Sequence, residues 1–288
     1  MERRRLVIVA VSFAMYYFLF LAHLRAEDWP QWRGPSSLGV SAEPDLPSRW
    51  DARTNVAWKS SLAGFGASSP IVCRNRVFVT SQAGKVAVRK GSHPLLARDD
   101  RALAERERVM DGPRMASTSA KGEVFLVVEA FDQTDGRRLW EYRTRATGEL
   151  PELHEKHNLA TPTPATDGER VFAWFGNGQL VALDFEGRVV WERHLGRDYA
   201  PFLVPWGHGS SPTLYRELLI LLCDHGDTAY LLALDKRTGK ERWKVQRESG
   251  SVSHSTPLVI PLAAGDELVV NSSHRIDTYD PSTGRLLW

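Results

Sequence analysis

Nine histidines, two cysteines and 35 acidic side chains are the groups of this 288-residue chain that could hold a metal, attack a carbonyl or move a proton. His154 and His157 stand three apart, a spacing that puts two imidazoles on one helical face and suits a transition metal. A zinc site needs three or four converging ligands, and these two histidines precede a strand-forming run. His208 stands just ahead of Ser210-Ser211-Pro212, and His254 just ahead of Ser255-Thr256-Pro257, so the two occupy matching places before two further such runs. All are read as polar loop residues that gather on one face. Cys73 and Cys223 lie in apolar runs, Ile71-Val72-Cys73 and Leu221-Leu222-Cys223, where cysteine serves as a small buried apolar residue. They are expected to be reduced, buried and in separate structural units. No catalytic, cofactor-binding or metal-binding residue is assigned, and no cofactor is expected.

The chain opens with Glu2-Arg3-Arg4-Arg5, and an uncharged, largely apolar run extends from Leu6 to Leu24 before Arg25. That layout is an export signal, with residues 1–26 removed after Ala26. An uncleaved anchor is the alternative, because the run is near the minimum needed to span a bilayer. Either way the remainder is expected in the periplasm or outside the cell. Without residues 1–26, 33 basic side chains face 34 acidic ones. A near-neutral chain lacks the dense positive surface that nucleic acid requires, so nucleic acid is excluded as a partner, as is an integral membrane domain in the cleaved protein.

What positions these groups is a repeat. Ala130-Phe-Asp132-Gln-Thr-Asp-Gly136-Arg-Arg-Leu-Trp140 returns as Ala233-Leu-Asp235-Lys-Arg-Thr-Gly239-Lys-Glu-Arg-Trp243 and as Thr278-Tyr-Asp280-Pro-Ser-Thr-Gly284-Arg-Leu-Leu-Trp288. A copy one residue shorter runs from Ala182 through Asp184 and Gly187 to Trp191. The chemistry is that of a hairpin: Asp opens a turn by accepting backbone N–H groups, and Gly takes a positive φ. Trp follows Gly by four residues, an even step that puts both on one face of a strand. Upstream of each copy comes Ser69-Pro70, Thr163-Pro164, Ser211-Pro212 or Thr256-Pro257, each followed by a run rich in Val, Ile, Leu and aromatics. Each unit therefore reads as a four-stranded antiparallel meander, one blade of a propeller.

These copies resemble the pyrroloquinoline-quinone-like (PQQ-like) β-propeller repeats, whose docking motif runs Ala-x-Asp-x-x-Thr-Gly-x-x-x-Trp. The opening Asp28-Trp-Pro-Gln-Trp-Arg-Gly-Pro35, with Val56-Ala-Trp58 and Ser68-Ser-Pro70, is similar to secreted bacterial members. The resemblance implies an all-β propeller of which about four blades are present, part of an eight-bladed ring in a longer protein. The expected organisation is a signal peptide at 1–26, a lead segment at 27–55 and a partial propeller at 56–288. Trp58 is expected on an outer strand that belongs to a last blade, unmatched here, so that the chain does not close on itself. Four blades closing alone is the rival.

The first unit carries an insertion at about 83–122, in which Leu96, Leu103 and Met110 recur at heptad spacing before Gly112-Pro113. A short amphipathic helix lying on the propeller is expected there. Quinone-dependent dehydrogenases of this class hold calcium and quinone on the propeller axis, typically above adjacent cysteines, and this chain has no Cys-Cys pair. The reading that results is a non-catalytic binding or scaffold propeller, similar in architecture to the outer-membrane assembly subunit BamB and monomeric at full length. It would present its loops to a protein or glycan partner. A quinoprotein oxidoreductase is the alternative.

Overall fold

The computed structural model describes residues 27–84, 88–89, 123–151, 153–154, 157–204, 207–226, 228–248, 251–273 and 275–288. The export run and the amphipathic segment of the insertion lie outside the described residues. In the first blade β1 (Ile71–Cys73) and β2 (Arg76–Ala83) are followed by a short β3 (Val88–Arg89), then β4 (Phe125–Asp132) and β5 (Arg138–Arg145), with sheet order β1-β2-β4-β5. β6 (Leu153–His154) runs parallel to β3. The second blade is β7 (Ala165–Thr166), β8 (Arg170–Trp174), β9 (Gln179–Asp184) and β10 (Val189–His194), ending in one helical turn, α1 (Leu195–Asp198). The third contains β11 (Thr213–Tyr215) and β12 (Leu218–Cys223), the short β13 (His225–Gly226), then β14 (Tyr230–Asp235) and β15 (Glu241–Gln246). β16 (Ser251–Val252) pairs with β13. The fourth blade is β17 (Leu258–Ile260), β18 (Glu267–Asn271) and β19 (Ile276–Tyr279), against which the chain returns, with Leu287 N–H donating to the Thr278 carbonyl at 2.8 Å.

Alternation along the middle strands makes each blade bury two faces. On β8, Val171 and Ala173 pack toward the first blade, while Phe172 and Trp174 pack toward the third. On β12, Leu219, Leu221 and Cys223 meet the second blade, and Leu218, Ile220 and Leu222 meet the fourth. The core is thus three apolar layers, one between each pair of successive blades. That explains why Leu218–Cys223 is an unbroken apolar run: a strand buried on both faces has no polar side. Cys73 and Cys223 are buried in different layers and are not joined in a disulfide.

The repeated turns fasten the outer edges. Asp235 Oδ1 accepts the N–H groups of Arg237 and Thr238 at 3.1 and 3.0 Å, closing the turn that Gly239 leaves at φ +68°. Onto that turn lies Trp191 of the preceding blade, whose Nε1–H donates to the Lys236 carbonyl at 3.0 Å. A Cβ built on Gly239 would sit 2.7 Å from the Trp191 ring, so only glycine leaves room for it. Trp140 docks in the same way on Gly187 and donates to the Phe185 carbonyl at 2.7 Å, and Trp243 covers Gly284. Trp191 is buried, whereas Trp140 and Trp243 are only half-buried.

Trp58 belongs to this series. Its Nε1–H donates to the Gln133 carbonyl at 2.8 Å, its ring lies on Gly136, and Ser60 donates to the Gly136 carbonyl. The lead reaches farther along the array, since Trp29 exchanges both backbone hydrogen bonds with Val72, and the Pro30 carbonyl accepts Thr166 N–H. Among the described residues no strand pairing joins the Trp58 segment to the fourth blade, whose edge is filled by residues 286–288.

Candidate functional site

The short first strand of each blade lies at the inner end of the array, where β7 contacts both β1 and β11. Just ahead of those strands stand the Ser/Thr-Pro pairs, and their hydroxyls link one blade to the next. Ser69 N–H donates to Thr163 Oγ1 at 3.0 Å, Thr163 N–H to Ser211 Oγ at 2.9 Å, and Ser211 N–H to Thr256 Oγ1 at 3.0 Å. Proline at the following position supplies no N–H, so the preceding residue offers the available donor. Each hydroxyl thereby satisfies a backbone group that would otherwise be buried without a partner.

The same convergence brings the histidines together. His157, His208 and His254 come from the loops ahead of β7, β11 and β17; the rings of His157 and His254 are 5.9 Å apart. Gly209 is wedged between them: a Cβ there would lie 3.3 Å from His157 and 3.6 Å from His254. His208 is buried, its ring 4.3 Å from Trp174 and 5.3 Å from Phe202. Burial, and then the nearby His225, His254 and His157, hold its pKa well below the ordinary imidazole value. His254 is exposed at the surface, yet enough protein surrounds it for burial to lower its pKa as well. Only the backbone of His154 is described, within β6. Among the described residues no group of three His, Cys, Asp or Glu side chains is arranged to hold a metal ion. Two members escaped the sequence reading: His225, which packs on Phe202 at 4.5 Å, and Trp174. Their signal was weak, since His225 follows an apolar strand instead of preceding one.

A second polar cluster joins the third and fourth blades. Arg247 is buried and donates to Asp224 at 2.8 Å, to Asp277 at 3.0 Å and to the Tyr279 hydroxyl. Burial raises the Asp224 pKa, and Arg247 opposes that rise.

The family described as "Outer membrane protein assembly factor BamB", one of the PQQ-like repeat families, matches residues 124–288. The chain belongs to this family. It is similar to a polyvinylalcohol dehydrogenase of Pseudomonas sp, 26% identical over 75% of the chain, and spans 40% of that relative's length. A quinohemoprotein alcohol dehydrogenase from Comamonas testosteroni has the same fold, with 14% identity, a TM-score of 0.54, and coverage of 91% of this chain and 40% of that one. BamB from Moraxella catarrhalis aligns with 83% of this chain and 56% of its own at 18% identity and a TM-score of 0.48. The family match and the shared fold of the Comamonas testosteroni enzyme identify the blades as those of a β-propeller.

Proposed function

We propose that this chain is the propeller of an exported binding or scaffold protein, acting through contacts with a protein partner of the cell envelope. The observation that carries the reading is the match of the assembly-factor family to residues 124–288, which include the second, third and fourth blades. The lead segment supports it: Leu38, Val40, Leu46 and Trp50 are all exposed, the last by 70%. Several large apolar side chains held at the surface within thirteen residues are what a partner surface offers. Export in this reading uses residues 1–26 as the signal, with 27–55 as the lead and 56–288 as propeller.

The dehydrogenase relative supports a second reading, a quinoprotein oxidoreductase. The donors among the described residues do not fit a quinone and calcium site. Where loops of successive blades converge, the side chains are His157, His208, His254 and the apolar Trp174 and Phe202, and the two cysteines lie in different core layers. No step is derived through that group. A glycan is the remaining partner class.

Photo-crosslinking in the bacterium that makes the protein separates these readings. A photoreactive residue in place of Leu46 or Trp50 is expected to yield one discrete crosslinked envelope protein, and the same residue at exposed Val189 is not. Uniform crosslinking at all three sites, or stoichiometric uptake of quinone with calcium followed by visible absorbance, would overturn the scaffold reading.

A further inference from the structure

The three converging histidines do more than mark one end of the blades. Each stands in the loop that precedes a first strand, so each loop is held in place partly by what the imidazoles do to one another. His208 is the innermost: its ring is enclosed by Trp174 and Phe202, and among the described residues neither ring nitrogen has a hydrogen-bond partner. His157 and His254 face each other across Gly209, the residue that follows His208 in the chain. From the third blade, His225 faces Phe202 and Tyr230, at 4.5 and 5.7 Å. The carboxylate adjacent to it in sequence, Asp224, is already engaged by Arg247. Among the described residues no carboxylate bonds to His208.

We propose that His157, His208 and His254 form an acid-operated latch at the inner end of the propeller. Neutral imidazoles allow the loops before β7, β11 and β17 to pack together, and protonation drives these loops apart while the outer tryptophan docking holds. Positive charge on the exposed His254 and half-buried His157 is repulsive across Gly209, and that repulsion then exposes His208 to water. The sign follows from the direction of the shifts. His208 and His254 have folded pKa values below the ordinary ~6.5. The closed arrangement is therefore fully favoured above about pH 6.5 and weakens as pH falls through the depressed values, because the open state binds more protons. Imidazole is the side chain suited to such a switch, since it changes charge within the range an exported protein meets. The latch does not depend on which partner the propeller binds.

Hydrogen–deuterium exchange of the full chain at pH 7.5 and 5.0, corrected for intrinsic exchange, tests the latch. Protection is expected to fall at least tenfold at 157–161, 207–211 and 253–257, and to stay within twofold in the docking turns 132–136, 184–187 and 235–239. In the His157→Gln, His254→Gln double variant the loss at pH 5.0 should shrink to threefold or less. Equal protection of the wild-type loops at both pH values overturns the proposal, as does acid loosening of the docking turns together with the loops. So does an acid response in the double variant as large as in the wild type. The wild-type comparison decides independently if the variant does not fold.

Discussion

The hydroxyl of Thr163 in the second blade accepts the backbone N–H of Ser69 in the first, at 3.0 Å. Thr163 is itself buried, and its own N–H continues the series to Ser211. Replacing it with valine preserves the shape and strands the Ser69 N–H. Ser69 is half-buried, so the expected cost is about 1 kcal/mol, the low end for a stranded donor, read as a lowered urea midpoint. Thr163→Ser keeps the oxygen and should retain most of the stability.

Gly239 combines a positive φ with close approach of the Trp191 ring. Gly226 has φ +91° but nothing within 4 Å of a Cβ built on it. Gly226→Ala therefore carries only the backbone penalty, about 1–2 kcal/mol, whereas Gly239→Ala must also displace an indole. Thermal unfolding of the two variants should show the larger loss at Gly239, with red-shifted tryptophan emission in that variant alone.

A buried and an exposed tryptophan of the series should differ in the same way. Trp191→Ala empties a buried aromatic site and should cost about 3–5 kcal/mol. Trp288, 67% exposed, should tolerate alanine within about 0.5 kcal/mol, the usual range for a surface change. Chemical denaturation of both variants measures the contrast directly.

The blades were legible in the sequence because the repeat writes the same local chemistry four times. An Asp that caps its own turn, a glycine with positive φ and a tryptophan four residues on depend on adjacent residues and survive as a motif. The docking partner was less legible: that Trp58 covers Gly136 is a contact across 78 positions, which no local motif records. The histidines were recognised as a group because His208 and His254 share a position relative to Ser/Thr-Pro. His225 and Trp174 have no such register and enter through packing alone. The hydroxyl series was in view as a recurring dipeptide, but its inter-blade role needed the geometry.

Arg247 holds Asp224 and Asp277 inside the interface of the third and fourth blades. Arg247→Met leaves two carboxylates without their cation and should cost about 3–5 kcal/mol, the range for breaking a buried pair. Burial raises the folded pKa of Asp224, so this variant should lose stability as pH rises through that raised value. The triple change Arg247→Met, Asp224→Leu, Asp277→Leu should recover much of the loss and remove the pH dependence. Urea denaturation between pH 4.5 and 7.5 checks both outcomes.

The two kinds of fastening run between the same neighbours and in the same direction, the earlier blade donating and the later one accepting. The indole of one blade reaches forward to the turn of the next, and the hydroxyl of the next blade receives an N–H from the one behind. A blade emerging from a ribosome or a secretion pore thus presents two unmet donors, an indole and a backbone N–H, and its successor accepts both on arrival. The unit of growth for such an array is a whole period cut at any point, because duplication of that length reproduces every donor, ring and glycine in register. Duplication or loss of whole periods can lengthen or shorten the array without inventing a new interface.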